Sequence, residues 1–274
     1  MDDVLLRKKD ALQGLLSEFT SVIVAYSGGV DSSYLAAAAH EALGPASLAV
    51  TAVSPSLARR ELRAATTLAE SRGWNHRIVA TRELAREGYA RNDAERCYWC
   101  KTELFEVLAP IAQERSAVVA VGTNTDDLRD FRPGGRAASE HQVRAPLVEA
   151  EMSKLDVRAL SAELGLPTHD KPASPCLSSR LAYGVRVTPE RLRRVERAED
   201  LLLSLGFNEM RVRDHGDLAR IEVRPDEVER AAGLRDMITR ELTGLGWRYV
   251  TLDLVGFRSG SMNEVLPSPV IRRP

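Results

Sequence analysis

Val22-Ile23-Val24-Ala25-Tyr26-Ser27-Gly28-Gly29-Val30-Asp31-Ser32-Ser33 is the stretch on which the reading of this chain turns. Ser21 to Tyr26 is a short apolar run, as in a buried strand, and two glycines end it. From Asp31 to about Leu43 the Ala-rich run at 36–39 favours a helix. Gly28 and Gly29 permit a tight turn and the close approach of a phosphate. Successive backbone N–H groups and the start of the next helix make an anion cradle, and the hydroxyls of Ser27, Ser32 and Ser33 add donors. Asp31 is acidic, so it suits Mg²⁺ or loop organisation better than direct phosphate contact. No lysine follows the glycines as in kinase-type loops, and no GxGxxG dinucleotide fingerprint is present.

The alternation continues outward. A helix over 4–19, with Leu5, Leu12, Leu15 and Leu16 among its apolar positions, precedes the first strand. Residues 48–53 read as a strand, 57–72 as a helix, 75–79 as a strand and 101–113 as a helix. A strand at 117–121 ends at Gly122-Thr123-Asn124. Repeated strand–helix units predict a parallel sheet covered by helices. Ligands of such sheets bind at the carboxyl ends of the strands, where the Ser27 and Gly122 loops both fall. Residues 126–141 lack a clear period, contain Pro133-Gly134-Gly135 and read as a loop over a site. Ser153 is a candidate N-cap for a helix reaching Gly165.

The expected fold class is α/β: a parallel-sheet domain over residues 1–184 and a smaller α+β domain over 185–274. The second opens with Thr188-Pro189, an N-cap and first-turn proline, leading a helix to Leu205. Strands at 210–213 and 218–223, a helix over 226–242 and a strand at 249–254 follow.

Composition narrows the function. A chain of 274 residues suits one large domain or two smaller ones. With only 5% aromatics, the core must come from Leu, Val, Ile and Ala. The 38 basic and 39 acidic residues give a net charge of -1, which argues against wrapping a long nucleic acid. Met1-Asp2-Asp3-Val4 lacks the pattern of a secretion signal, and no apolar run has the length of a membrane span. The expected location is the cytoplasm, with neither membrane nor nucleic acid as partner.

Cys97-Tyr98-Trp99-Cys100 is a CxxC pair read as lying just before a helix, and Cys176 follows in Ser174-Pro175-Cys176-Leu177-Ser178-Ser179-Arg180. An odd count of three argues for chemistry or metal binding over a disulfide framework. Three thiolates suit an iron–sulfur cluster with one open iron. A zinc site completed by His169 or His76, a chance CxxC, and sulfur transfer through the cysteines are all open readings of the same residues. Arg180 offers a field for the Cys176 thiol or a contact to AMP phosphate.

The run Ser27 to Ser33 resembles the signature loop of the PP-loop ATP pyrophosphatase superfamily. The resemblance implies an adenine nucleotide alpha hydrolase-like domain that cleaves ATP to AMP and pyrophosphate while adenylylating an acceptor oxygen. More of the chain, from about Leu5 to Leu266, resembles the ATP-dependent sulfur transferases that mature the nickel-pincer nucleotide of lactate racemase. Ala25 to Ser33, Arg96 to Lys101, Gly122 to Asn124, Lys171-Pro172 through Arg180, and Gly256 to Asn263 carry it. The resemblance implies adenylylation of a carboxylate of a pyridinium biscarboxylate mononucleotide, then delivery of sulfur. Two sulfur sources occur in that family: a sacrificed cysteine matching Cys176, or a three-cysteine [4Fe-4S] site. With Cys97 and Cys100 beside Cys176 the chain looks like the cluster-dependent kind, and sacrifice of Cys176 is the alternative. A homo-oligomer, a sulfide donor and a downstream nickel-insertion protein are the implied partners.

Further roles are expected of individual residues. Gly122, Thr123 and Asn124 approach adenosine, and Asp126 is a metal or substrate candidate. Arg211 and Arg213 share one strand face and suit the substrate phosphate, with Glu222 a metal candidate in the same pocket. Arg258 and Ser259 are loop phosphate candidates, and Trp99 suits stacking on a pyridinium ring. A tRNA thiolation enzyme, an ATP-dependent amidotransferase and a non-catalytic nucleotide or metal carrier are the rival readings. The absence of an RNA-binding module and of a glutaminase context weighs against the first two.

Overall fold

The computed structural model describes residues 3–129, 133–258 and 260–265. In chain order its elements are α1 (Asp3–Ser17), β1 (Val22–Ala25), α2 (Val30–Leu43), β2 (Ser47–Val53), α3 (Arg59–Ser71), β3 (His76–Ala80), α4 (Glu87–Ala90) and α5 (Arg96–Arg115). Then come β4 (Val118–Val121), α6 (Pro133–Glu140), α7 (Pro146–Glu149), α8 (Lys154–Glu163), α9 (Pro189–Ser204), β5 (Met210–Asp214), β6 (Leu218–Val223), α10 (Val228–Gly233), α11 (Arg235–Gly244) and β7 (Tyr249–Leu252).

The chain divides into two compact units. Among the described residues, one holds the chain up to Glu83 together with Cys97–Ser174; the other holds Leu84–Arg96 and the chain from Pro175 onward. The boundary expected at 184/185 therefore lies inside the second unit.

In the first unit a four-stranded sheet runs in the order β3-β2-β1-β4, with all pairs parallel. The strands alternate faces. Val22 and Val24 pack with Leu12, Leu16, Leu35, Leu68 and Leu160 on one side. Ile23, Leu48 and Val50 pack with Leu108 and Ile111 of α5 on the other. This two-sided cover explains the unbroken apolar run at β1. Complete burial of Leu12, Leu16 and Leu35 contributes roughly 1.5–3 kcal/mol for each side chain. After β3 the chain returns to the far side of β1, so β1 and β4 flank the point where strand order reverses. Their carboxyl ends open the crevice in which such sheets bind ligands.

Two local expectations change. The CxxC pair lies inside α5, which begins at Arg96. Residues 126–141 form a 3-10 turn at Thr125–Arg129 and then α6. Pro133 starts that helix, and a single fully buried residue, Ala137, anchors it against Phe105 and Val121. Consecutive glycines and one core position leave too weak a period to read. Ser153 caps α8 as expected: its hydroxyl accepts from Asp156 N–H, and Asp156 accepts from Ser153 N–H at 2.8 Å.

The second unit carries a three-stranded sheet, β5-β6-β7, antiparallel then parallel. The helix expected over 226–242 is broken at Leu234 into α10 and α11, just after Gly233. Segment 84–96 belongs here because Asn92, fully buried, donates to the carbonyls of Leu181, Ala182 and Val185. Arg96 donates to Ser178 O at 2.9 Å, and Tyr89 and Ser178 share a hydroxyl contact of 2.6 Å.

Candidate active site

The loop between β1 and α2 has the form that a phosphate cradle needs. Gly28 has φ +72°, and a Cβ there would lie 2.8 Å from Ala65 Cβ. A Cβ on Gly122 would lie 2.8 Å from Ser32 N and 2.9 Å from the Asp31 carbonyl carbon. The end of β4 thus rides directly on the first turn of α2, which only glycine permits. Ser32 Oγ accepts from Ser27 N–H at 3.2 Å, meets Ser27 Oγ at 3.0 Å and donates to Gly29 O. These bonds close the loop on itself. Gly29 caps α2 without a side-chain acceptor, so the first-turn amides keep their capacity for an anion. Ser33, in the first turn of α2, is fully buried.

Two lysines flank the loop, each held by a carboxylate. Lys154 Nζ lies 2.5 Å from Asp31 Oδ2, and Asn124 Nδ2 donates to Asp31 Oδ1 at 3.0 Å. Asp31 and Asn124, both expected at this site, are therefore in direct contact. Asp126 accepts the Lys154 backbone N–H at 2.8 Å and so fixes the start of α8. On the other flank, Lys171 Nζ donates to Gly28 O at 2.9 Å and to Glu61 Oε2 at 2.7 Å, and Ser174 Oγ donates to Glu61 Oε1 at 3.0 Å. Burial works to raise the Glu61 carboxyl. Lys171, with Ser174 and Arg60, outweighs it and holds that carboxyl below its ordinary range.

The loop fits a triphosphate: open amides, two positions that exclude a side chain, and cations within reach. Asp31 fits Mg²⁺, which typically takes one or two carboxylates and completes its shell with phosphate oxygens and water. Thr123 stands half-buried between Gly122 and Asn124 at the carboxyl end of β4.

Cys97 is exposed and Cys100 half-buried, three residues apart on one helical turn. Trp99 packs edge-on against Tyr98, with ring centroids 5.2 Å apart. Tyr98 in turn donates to Glu140 at 2.7 Å and carries Arg136 over its ring. Cys176, half-buried, belongs to the second unit and heads a 3-10 turn at Leu177–Arg180. Among the described residues no three His, Cys, Asp or Glu side chains converge as a metal site. Cys97 and Cys100 belong to the first unit and Cys176 to the second.

Arg180 is 1% exposed and ion-paired with the fully buried Glu199 at 2.9 Å. It also donates to the carbonyls of Pro175 and Cys176. In this arrangement Arg180 braces the backbone that presents Cys176. Glu222 is likewise closed in: Oε2 takes both Arg213 Nε and Nη2, while Oε1 takes Arg220 and Ser261 Oγ at 3.0 Å. Neither Glu222 oxygen is open to a metal in this arrangement. Arg211 shares its strand face with Arg213, as period two requires, and lies over the Phe257 ring at 4.9 Å. Arg258 pairs loosely with Asp253 and Glu264. Ser259 lies outside the described residues.

The geometry has relatives. The NAD synthase family profile matches residues 7–96, the stretch that holds the phosphate loop. A pyridinium-3,5-bisthiocarboxylic acid mononucleotide synthase of Lactiplantibacillus plantarum is 40% identical over 264 residues, covering 96% of this chain and 96% of its own. The chain belongs to that family of PP-loop ATP-dependent sulfur transferases. An uncharacterised protein of Synechocystis sp. is 46% identical over 94% of this chain and 98% of its own. Another, of Methanocaldococcus jannaschii, is 29% identical over 93% and 99%.

For a sulfur transferase of this family, sequence reasoning missed Lys154, Lys171 and Glu61 as members of the loop's surroundings. Lys154 follows the N-cap Ser153 and Lys171 precedes Pro172, but nothing local says that either ammonium reaches a loop more than a hundred residues earlier. Among the described residues no helix is long and apolar enough to cross a membrane.

Proposed function

We propose that this sulfur transferase activates a carboxylate of pyridinium-3,5-biscarboxylic acid mononucleotide with ATP and replaces one carboxylate oxygen by sulfur. The observation that carries the reading is the glycine-walled loop bracketed by Lys154 and Lys171, in a chain 40% identical along its length to a synthase of that product class. The loop amides with Ser27 and Ser32 hold the β- and γ-phosphates. Asp31, positioned by Asn124, would hold Mg²⁺, which when bound would supply charge neutralisation at the departing pyrophosphate. Substrate carboxylate oxygen attacks the α-phosphorus, the bond to the pyrophosphate oxygen breaks, and an acyl-adenylate forms. Arg211, Arg213 and Arg258 are proposed to hold the phosphate of the mononucleotide.

Sulfur then displaces AMP from the acyl carbon. Cys176 is the proposed donor, because its backbone is braced by a buried Arg180–Glu199 pair while its side chain stays partly exposed. Thioester formation expels AMP. Loss of the Cys176 Cα proton then breaks the Cβ–Sγ bond and leaves a thiocarboxylate and dehydroalanine. A second reading, a [4Fe-4S] site on Cys97, Cys100 and Cys176, is favoured by the two thiols in one helical turn. Intact mass of anaerobically purified protein after reaction with ATP, Mg²⁺ and the biscarboxylate separates them. A polypeptide lighter by one H₂S supports the sacrificial donor. An unchanged polypeptide with bound iron and several products per chain supports the cluster. Absence of pyrophosphate release with this substrate would refute the reading as a whole.

A further inference from the structure

Lys171 is unusual among the lysines at the loop because its ammonium touches backbone. It donates to Gly28 O at 2.9 Å, and Gly28 sits at φ +72°, a conformation that side chains rarely adopt. In a planar trans peptide the carbonyl and the following N–H point in opposite directions. Pinning Gly28 O toward Lys171 therefore turns the Gly29 N–H away from Lys171. Lys171 is itself fixed by Glu61, whose other oxygen takes the hydroxyl of Ser174. One carboxylate on α3 thus gathers both ends of the segment 171–174, and Cys176 follows two residues later in the chain.

The ammonium has three protons, and these bonds engage two. A triphosphate settling on the amides of this loop places negative charge on the N–H side of the Gly28–Gly29 peptide, which polarises Gly28 O into a stronger acceptor for Lys171. That carbonyl competes with Glu61 for Lys171, and any shift of Lys171 is felt by the segment it belongs to. We propose that Lys171 is a positioning residue that orients the Gly28–Gly29 peptide for phosphate and, through Glu61 and Ser174, couples nucleotide occupancy to the reactivity of Cys176. This rests on the reading that the loop binds ATP.

The test is the rate of Cys176 alkylation by iodoacetamide in the full-length protein, read by peptide mass spectrometry with and without ATP and Mg²⁺. ATP binding is measured separately by calorimetry, with no pyridinium substrate present. In the wild type, ATP is expected to change the Cys176 rate roughly fivefold or more, the lower range of coupling between sites. Lys171→Met and Glu61→Gln are expected to abolish that change, and Lys171→Arg to retain most of it. Lys171→Met is also expected to bind ATP more weakly. If Lys171→Met does not fold, Glu61→Gln, which keeps the side chain's shape, decides. Wild type that binds ATP without a change at Cys176, or a folded Lys171→Met or Glu61→Gln that keeps the change, overturns the coupling and leaves the nucleotide reading intact. Wild type that binds no ATP overturns both.

Discussion

At the scale of single residues, the site is defined as much by missing side chains as by present ones. Gly122 admits the backbone of Asp31 and Ser32 to within van der Waals distance, and the atoms a Cβ would meet are main-chain atoms that cannot rotate aside. Overpacking of this sort costs about 1–3 kcal/mol. Gly122→Ala is therefore expected to weaken ATP binding roughly tenfold or more, as measured by calorimetry, with the circular dichroism spectrum retained. Undiminished affinity would mean that the β4 end is not part of the nucleotide site. The acidic residues illustrate a different lesson. Asp126 and Glu222 both read as metal candidates, yet each meets a partner: the α8 backbone, and two arginines with Ser261. Sequence supplies the charge of such a residue but not its neighbours.

At the scale of elements, helices and strands were legible wherever burial imposes a regular period. The parallel sheet, α2, α8 and α9 follow from apolar runs and caps, and Thr188 accepts from Arg191 N–H at the predicted cap. Where burial is thin the period fails, as in α6 with its one buried alanine. On β5 and β6 the alternation places Arg211, Arg213, Arg220 and Glu222 on one face, and the register sets Arg211 opposite Glu222. Glu222→Gln leaves Arg213 buried without its counter-charge. Removing one partner of a buried pair costs about 3–5 kcal/mol. A loss of that size is expected in urea unfolding, with part of it recovered in the double variant Arg213→Met, Glu222→Gln. A loss within error of zero would show that water reaches this pair.

At the scale of the whole molecule, the chain is not divided in sequence order. Residues 84–96 leave the first unit, join the second and hand back to the first at Cys97. Asn92 fastens that excursion from a left-handed conformation, φ +58°, donating to three carbonyls between Leu181 and Val185. Asn92→Ala removes those donors; each buried carbonyl left unsatisfied costs about 1–3 kcal/mol. Faster hydrogen exchange and earlier proteolysis are expected across 175–185, with exchange in the parallel sheet unchanged. Equal protection of that segment in the variant would show that Asn92 does not hold it.

The sequence by itself determined the phosphate loop, the α/β alternation around it, the three-cysteine inventory and the family, because each is written in neighbouring residues or in a period set by local geometry. Tertiary structure alone decided which charges surround that loop. Lys154 meets Asp31 across 123 positions, and Lys171 meets Gly28 across 143. Those encounters depend on parallel strands bringing their carboxyl ends together, with β4 returning beside β1 after β3 is complete. An ion pair has no period and no preferred spacing. Its partners are found only when the backbone has already folded, which is why the loop was visible in the sequence and the lysines that hold it were not.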